Sequence, residues 1–142
     1  MQSFTYPFRF HADRKDGGFV VTCRDLPEAI TQGESIADAM NEAQDCLDEA
    51  LHARLAGGMD VPAPSVARRG ERLVSPPVGT ALKLAVYLAM REANVSKSDL
   101  ARRLDVDEKE IRRALDPRHA TKSARLEEAL HALGRRVELQ VA

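Results

Sequence analysis

The stretch FTYPFRF sets Phe4, Tyr6, Phe8 and Phe10 in alternation with Thr5, Pro7 and Arg9. This is the period of a strand with one aromatic face, and Pro7, which lacks a ladder donor, points to an edge position. The turn-forming DRKDGG, Asp13–Gly18, separates it from a second apolar run, Phe19–Cys23, so the two read as a hairpin. Asp25-Leu26-Pro27 then joins a shorter third strand over Ala29–Gly33. Beyond it the period becomes helical. Ile36, Ala39, Met40, Ala43, Leu47, Ala50 and Leu51 share one face, Ser35 stands at the N-cap and Gly57-Gly58 ends the run, while acids occupy the other face. Neither hairpin nor helix can bury its apolar side alone, so the helix is expected to cover the aromatic face. The result is a small βββα unit, open to closure by a fourth strand near Arg72–Ser75.

The pattern breaks at VPAPSVARRGERLVSPPVG, Val61–Gly79, where four prolines exclude a continuous helix and disfavour a central strand. Helical spacing then resumes. Thr80 is placed to cap a helix through Ala93, with Leu82, Leu84, Ala85, Leu88 and Ala89 for burial. Ser96 with Asp99 forms a capping box for a short helix whose inner side is Leu100, Ala101 and Leu104. Asp105-Val106 makes a turn, and Asp107 caps a third helix with Ile111, Ala114 and Leu115 inward. A further helix from Ser123 carries Leu126, Ala129, Leu130 and Leu133 and ends at Gly134; Arg135–Val141 reads as a strand with Val137, Leu139 and Val141 on one face. Such a strand needs a partner, either a second subunit or the amino-terminal sheet.

Charge divides the chain in the same place. Residues 1–60 hold five Lys/Arg against eleven Asp/Glu, a net of −6, and residues 80–142 hold thirteen against ten, a net of +3. The organisation expected is therefore α+β, with a first domain over 1–60 (to 75 if the fourth strand forms), a linker over 61–79 and a mainly helical domain over 80–142. No stretch reads as a membrane span or signal peptide, which makes the cytoplasm the default compartment. Cys23 and Cys46 have no ligand-spaced partners and read as small buried hydrophobes; His11, His52, His119 and His131 stand at no catalytic or metal-ligand spacing. No cofactor or metal is expected.

Gly17–Leu51, GGFVVTCRDLPEAITQGESIADAMNEAQDCLDEAL, resembles the HicB antitoxin family in its order of glycine turn, apolar strand, Asp-Leu-Pro, Thr-x-Gly and capped, alanine-rich helix. The resemblance implies a truncated RNase H-like fold that neutralises a HicA-like toxin, a small basic RNA-cleaving enzyme. An acidic domain suits that partner, since charge complementarity speeds encounter; Asp25, Leu26 and Pro27 are the candidate toxin contacts. Active RNase H-like enzymes hold divalent metal on carboxylates, one of them in the first strand. Phe4–Phe10 offers none, so no catalytic residue is assigned and the chain is not expected to be an enzyme.

VSKSDLARRLDVDEKEIRRALD, Val95–Asp116, has helix-turn-helix spacing: Ala101 at the helix approach, Val106 as turn plug, Ile111 as lock, and Asp105 in the turn position commonly filled by glycine. With the apolar side buried, Lys109, Arg112 and Arg113 fall at i, i+3 and i+4 on one outward stripe. There Arg or Lys reaches guanine edges or phosphate. Glu108 is placed to accept from a cytosine amino group, and Lys97 and Ser98 to contact phosphate. Motifs of this kind read operators as dimers, so a homodimer or higher oligomer on double-stranded DNA is expected. The function expected is thus an antitoxin that also represses its own operon. The alternative is a stand-alone transcriptional regulator whose first domain binds a ligand or another protein.

Overall fold

The computed structural model describes residues 1–142, and the chain divides into two units, Met1–Pro77 and Val78–Ala142. In the first, alternation yields β1 (Tyr6–Ala12), β2 (Phe19–Thr22) and β3 (Ile30–Gly33), helical spacing yields α1 (Ile36–Ala56), and β4 (Glu71–Val74) follows. The strands form one antiparallel sheet in the order β3-β2-β1-β4. Its register sets Phe10 opposite Val21 and Tyr6 opposite Val74, so aromatic and aliphatic side chains meet on one face. Tyr6, Phe8, Val21 and Val74 are buried there, as are Ala39, Ala43, Leu47, Ala50, Leu51 and Leu55 of α1. Each large apolar side chain so buried contributes about 1.5–3 kcal/mol.

β1 is a central strand, which corrects the edge position expected from Pro7. It pairs with β4 through Tyr6–Arg9 and with β2 through Arg9–Ala12. The β2 ladder begins only at Arg9, so at Pro7 the strand has β4 as its single neighbour and the missing donor is tolerated. The Thr-x-Gly segment has an equally local cause. A Cβ on Gly33 would lie 2.4 Å from the backbone nitrogen of Ala39, so only glycine lets β3 end against the first turns of α1. Ser35 caps that helix by accepting the Asp38 N–H at 3.1 Å.

Residues 61–79, read from the sequence as a linker, carry β4, and the stretch before it is pegged to the sheet-and-helix body. Tyr6 Oη donates to the Pro62 carbonyl at 2.7 Å. The Asp25 carboxylate accepts the Ser65 N–H at 2.9 Å and the Ser65 hydroxyl at 2.5 Å. Arg54 bridges Glu28 and the Asp60 carbonyl. Arg24 donates to the Val66 carbonyl at 2.6 Å and grips Glu71 through two nitrogens at 3.0 and 3.1 Å. This bidentate geometry holds the Glu71 carboxyl down to about 2, with the Arg68 N–H as the second cause. Burial, followed by the nearby Asp25 charge, pushes the Tyr6 phenol up to about 12.

The second unit contains α2 (Val78–Ala93), α3 (Lys97–Leu104), α4 (Glu108–Leu115) and α5 (Ser123–Ala132). Thr80 is not a cap: α2 starts two residues earlier, directly after Pro76-Pro77, and Thr80 is buried in its first turn. Its buried face is also shifted from the one expected, to Lys83, Leu84, Val86, Ala89 and Met90. Lys83 is admitted because its ammonium donates to the carbonyls of Asp116 and His119 at 2.7 and 2.5 Å, which satisfies the charge while the stem packs. Three helices close in the same way. Asn94, Asp105 and Gly134 have φ of +54°, +54° and +76°, and the following N–H of Val95, Val106 and Arg135 returns to Met90, Ala101 and Leu130, which satisfies carbonyls orphaned at the helix ends. Asp105 therefore fills the left-handed position without glycine, as an Asp side chain can.

Residues 135–141 form no strand, which corrects the expectation placed on Val137, Leu139 and Val141. The four-stranded sheet does not include them, and a strand requires a ladder partner that the single chain does not supply. Cys23 is buried as expected, whereas Cys46 is only half-buried, its thiol facing the Ile30 carbonyl at 3.7 Å.

Candidate nucleic-acid interface

The surface of interest is built from α3 and α4. Ser96 and Asp99 form a reciprocal capping box, the Ser96 hydroxyl accepting the Asp99 N–H at 3.0 Å and the Asp99 carboxylate accepting the Ser96 N–H at 3.2 Å. These bonds, with Arg102 beside it, hold the Asp99 carboxyl below its ordinary range. Asp107 caps α4 through the Lys109 N–H at 2.9 Å. Leu100, Ala101, Ile111, Ala114 and Leu115 are buried, which fixes the rotation of both helices about their axes.

Lys109, Arg112 and Arg113 consequently lie on the exposed side of α4. The carboxylates of the same helix are drawn elsewhere. Glu110 reaches Arg125 of α5 at 3.3 Å. Glu108 accepts from the Ser98 hydroxyl at 3.1 Å and from Arg112 at 2.8 Å, which lowers its carboxyl pKa, Ser98 contributing first. The structure thus brings Ser98, Glu108 and Arg112 into one bonded group across the α3–α4 corner and leaves Lys97, Lys109 and Arg113 as exposed cations around it. This coupling of Ser98 to Glu108 depends on the angle between two helices, and no spacing in the sequence reveals it. Lys83 was missed in the same sense: its ammonium fastens the end of α4, at Asp116, to α2.

The candidates in the first unit do not converge. Leu26 has no exposed surface and belongs to the core, so it is corrected from a contact residue to a packing residue. Asp25 is engaged by Ser65. Pro27 is exposed and lines an open cavity of about 330 Å³ with Arg9, Thr22, Arg24, Arg68 and Glu71, whose Arg24 and Glu71 already hold one another. Most of the acids of α1 stand on its exposed side: Asp38, Glu42, Asp45 and Glu49. No three or more His, Cys, Asp or Glu side chains gather in a metal-holding group, and no helix is long and apolar enough to cross a membrane.

What this geometry offers is charge displayed on the two units, acidic on the first and basic on the second. Residues 5–85 match the family described as HicB_like antitoxin of bacterial toxin-antitoxin system. Antitoxin HicB of Escherichia coli is 33% identical over 124 residues, covering 87% of this chain and 90% of that protein. Antitoxin HicB 2 of Photorhabdus laumondii is 33% identical over 138 residues, 97% of this chain and 96% of that one. Antitoxin HicB of Pseudomonas fluorescens is 30% identical over 139 residues, 97% and 94% respectively. The chain belongs to the HicB-like antitoxin family.

Proposed function

We propose that the chain binds and neutralises a HicA-like, mRNA-cleaving toxin and represses its own operon by binding operator DNA. The first unit, taken as a truncated RNase H-like fold, is the toxin cover, and its acidic outer surface suits a basic enzyme that binds RNA. The second unit is a helix-turn-helix module: α4 enters the major groove and α3 crosses the backbone. Arg112 and Arg113 read base edges or phosphate, Lys109 and Lys97 meet phosphate, and Ser98 with Glu108 orients Arg112. The protein works in the cytoplasm as a homodimer or higher oligomer, without a cofactor and without chemistry of its own.

The observation that carries the DNA half is the sorting of charge on α4, where the cations face outward and Glu108 and Glu110 are tied to Ser98, Arg112 and Arg125. A helix of mixed composition meets a polyanion more favourably when its cations face outward and its carboxylates are engaged within the protein. The test is to co-express the full chain with the small basic protein encoded beside it, then assay RNA cleavage and the shift of DNA upstream of the gene. The expected results are a stable complex that does not cleave RNA and a shifted fragment. Arg113→Ala is expected to weaken the shift by about 1–3 kcal/mol if the residue makes a bidentate base contact. Free toxin activity in the mixture would sink the toxin half, and unchanged DNA affinity in both Arg112→Ala and Arg113→Ala, at fixed salt, the DNA half.

A further inference from the structure

The segment between α4 and α5, residues 116–122, reads DPRHATK and lies outside helix and strand. Side chains hold it in place. Lys83, a residue only 5% exposed, donates to the Asp116 and His119 carbonyls at 2.7 and 2.5 Å. The Thr121 hydroxyl donates to the Ala114 carbonyl at 3.0 Å, and the Asp116 carboxylate accepts the Arg118 N–H at 2.9 Å. These bonds occupy two carbonyls and the one carboxylate of the segment, groups that a polyanion repels. Arg118 and Lys122 are left exposed, and residues 118–122 contain no acid. Water would satisfy carbonyls on a surface turn equally well, so what the buried ammonium adds is a fixed shape.

We propose that Arg118 and Lys122 make a phosphate contact beyond α4, and that Lys83 is the positioning residue that presets it. Asp116 follows Lys109 by seven residues and Arg113 by three, so the chain leaves α4 along its outward line. The helix has eight residues, a length of about 12 Å, which is about the width of the major groove. Cations directly beyond its end therefore come within reach of the phosphates that border the groove. Long cationic side chains on a loose loop lose more freedom on binding than the same side chains on a fixed one. The Lys83 bonds remove that loss in advance, so a lysine with almost no exposed surface acts on DNA through the segment it holds. This inference rests on the reading of α4 as the helix that enters the groove, and extends it to a residue that does not touch DNA itself.

The test titrates the full chain against the upstream DNA and a scrambled duplex over a range of salt concentrations. Arg118→Gln and Lys122→Gln are each expected to weaken binding to both duplexes alike and to lower the salt slope of log affinity by about 1. Lys83→Met keeps the stem and removes the ammonium. It is expected to lower the slope by about as much as the other two together, and to speed hydrogen exchange at residues 118–122 with unchanged helical circular dichroism. Lys83→Gln, which keeps a donor, is measured alongside it should the methionine variant not fold, and is expected to lower the slope less. A lysine that only stabilised the unit would change the folded fraction and leave the slope of the folded protein as it was. Unchanged slopes in Arg118→Gln and Lys122→Gln overturn the contact, and unchanged slopes in the Lys83 variants overturn the positioning role. Binding that depends on Arg113 but not on Arg118 or Lys122 refutes this proposal alone, whereas a parent chain that binds neither duplex refutes the operator reading with it.

Discussion

Arg24 and Arg54 in the first unit and Arg112 and Arg113 in the second are the same side chain put to opposite uses. The first pair is turned inward, each guanidinium gripping a carboxylate by two nitrogens and a backbone carbonyl besides. The second pair lies on the exposed side of a helix, Arg112 held only by a neighbour one turn away. The difference follows from the elements around them. A sheet assembled from distant segments needs cross-links between residues far apart in sequence, such as Arg24 and Glu71. The helices of the second unit are tied across the sequence as well, by Lys83 to the Asp116 and His119 carbonyls and by Arg135 to Glu92, but the arginines of α4 are not used for this and stay on its exposed side. Net charge alone would not have shown this, since the acidic unit fastens itself with arginine and the basic unit carries acids on α4.

The sharpest way to break that contrast is to remove the first unit's core while leaving the second alone. Phe8 is fully buried in the core of the first unit, on a strand paired at that residue with Arg72 of β4. Phe8→Ala is expected to cost about 3–5 kcal/mol, enough to remove the unit's cooperative transition in thermal unfolding. Hydrogen exchange in α2–α5 should stay as protected as in the parent chain. Loss of that protection would mean that the two units do not keep separate cores.

Arg24→Met probes the cross-link itself. It leaves the Glu71 carboxylate without its guanidinium, and a loss of stability is expected. The sign of its pH dependence is fixed by the direction of the shift. The Glu71 pKa is depressed to about 2 from its ordinary value of 4.5, so its contribution is complete above the unfolded pKa and is lost as pH falls through the folded one. Chemical denaturation of the parent between pH 5 and 2, in the range set by those two values, should show stability falling with acid. In Arg24→Met that slope should flatten, and an unchanged slope would reassign the acid sensitivity to other carboxylates.

These two substitutions also mark what sequence could and could not reveal. The strands of the sheet and the helices were legible because periods of two and of about 3.6 residues record which face is buried, and the same period of two misled at Val137, Leu139 and Val141 because alternation supplies no ladder partner. The caps at Ser35, Ser96 and Asp107 were legible because capping is local chemistry within three residues. Arg24, Arg54 and Asp25 bond partners up to 47 residues away, and no local pattern reports such a contact. Pro7 misled because a proline excludes a ladder bond, not a central strand, and the strand beside it simply begins later. Of the candidate interface, the stripe Lys109, Arg112, Arg113 followed from the register of α4, whereas the bonded group of Ser98, Glu108 and Arg112 required the angle between helices.

On the second unit the contrast is sharpened by asking whether its cations act as free charges. Lys109→Ala is expected to weaken binding to the upstream DNA about equally for matched and scrambled sequences and to reduce the salt slope of log affinity by about 1. Arg54→Ala, by removing a fastened arginine, should leave that slope untouched. A slope that falls in both would show that cations of the first unit also meet DNA.

The smallest expected effect has the opposite sign. Asp105 joins α3 to α4 in a left-handed conformation, with φ +54° and ψ +48°, which costs a residue with a Cβ more than it costs glycine. Asp105→Gly should relieve that strain, and because glycine also gains freedom in the unfolded chain, the net stabilisation should be at most about 1 kcal/mol. Thermal denaturation of the second unit reads the gain directly. DNA affinity should stay constant, since the closing bond from the Val106 N–H to the Ala101 carbonyl at 3.0 Å is backbone and holds α4 in place with either residue. A loss of affinity without a loss of stability would mean that the Asp105 carboxylate itself orients α4, giving one acid of the basic unit the inward fastening role that arginine has in the other.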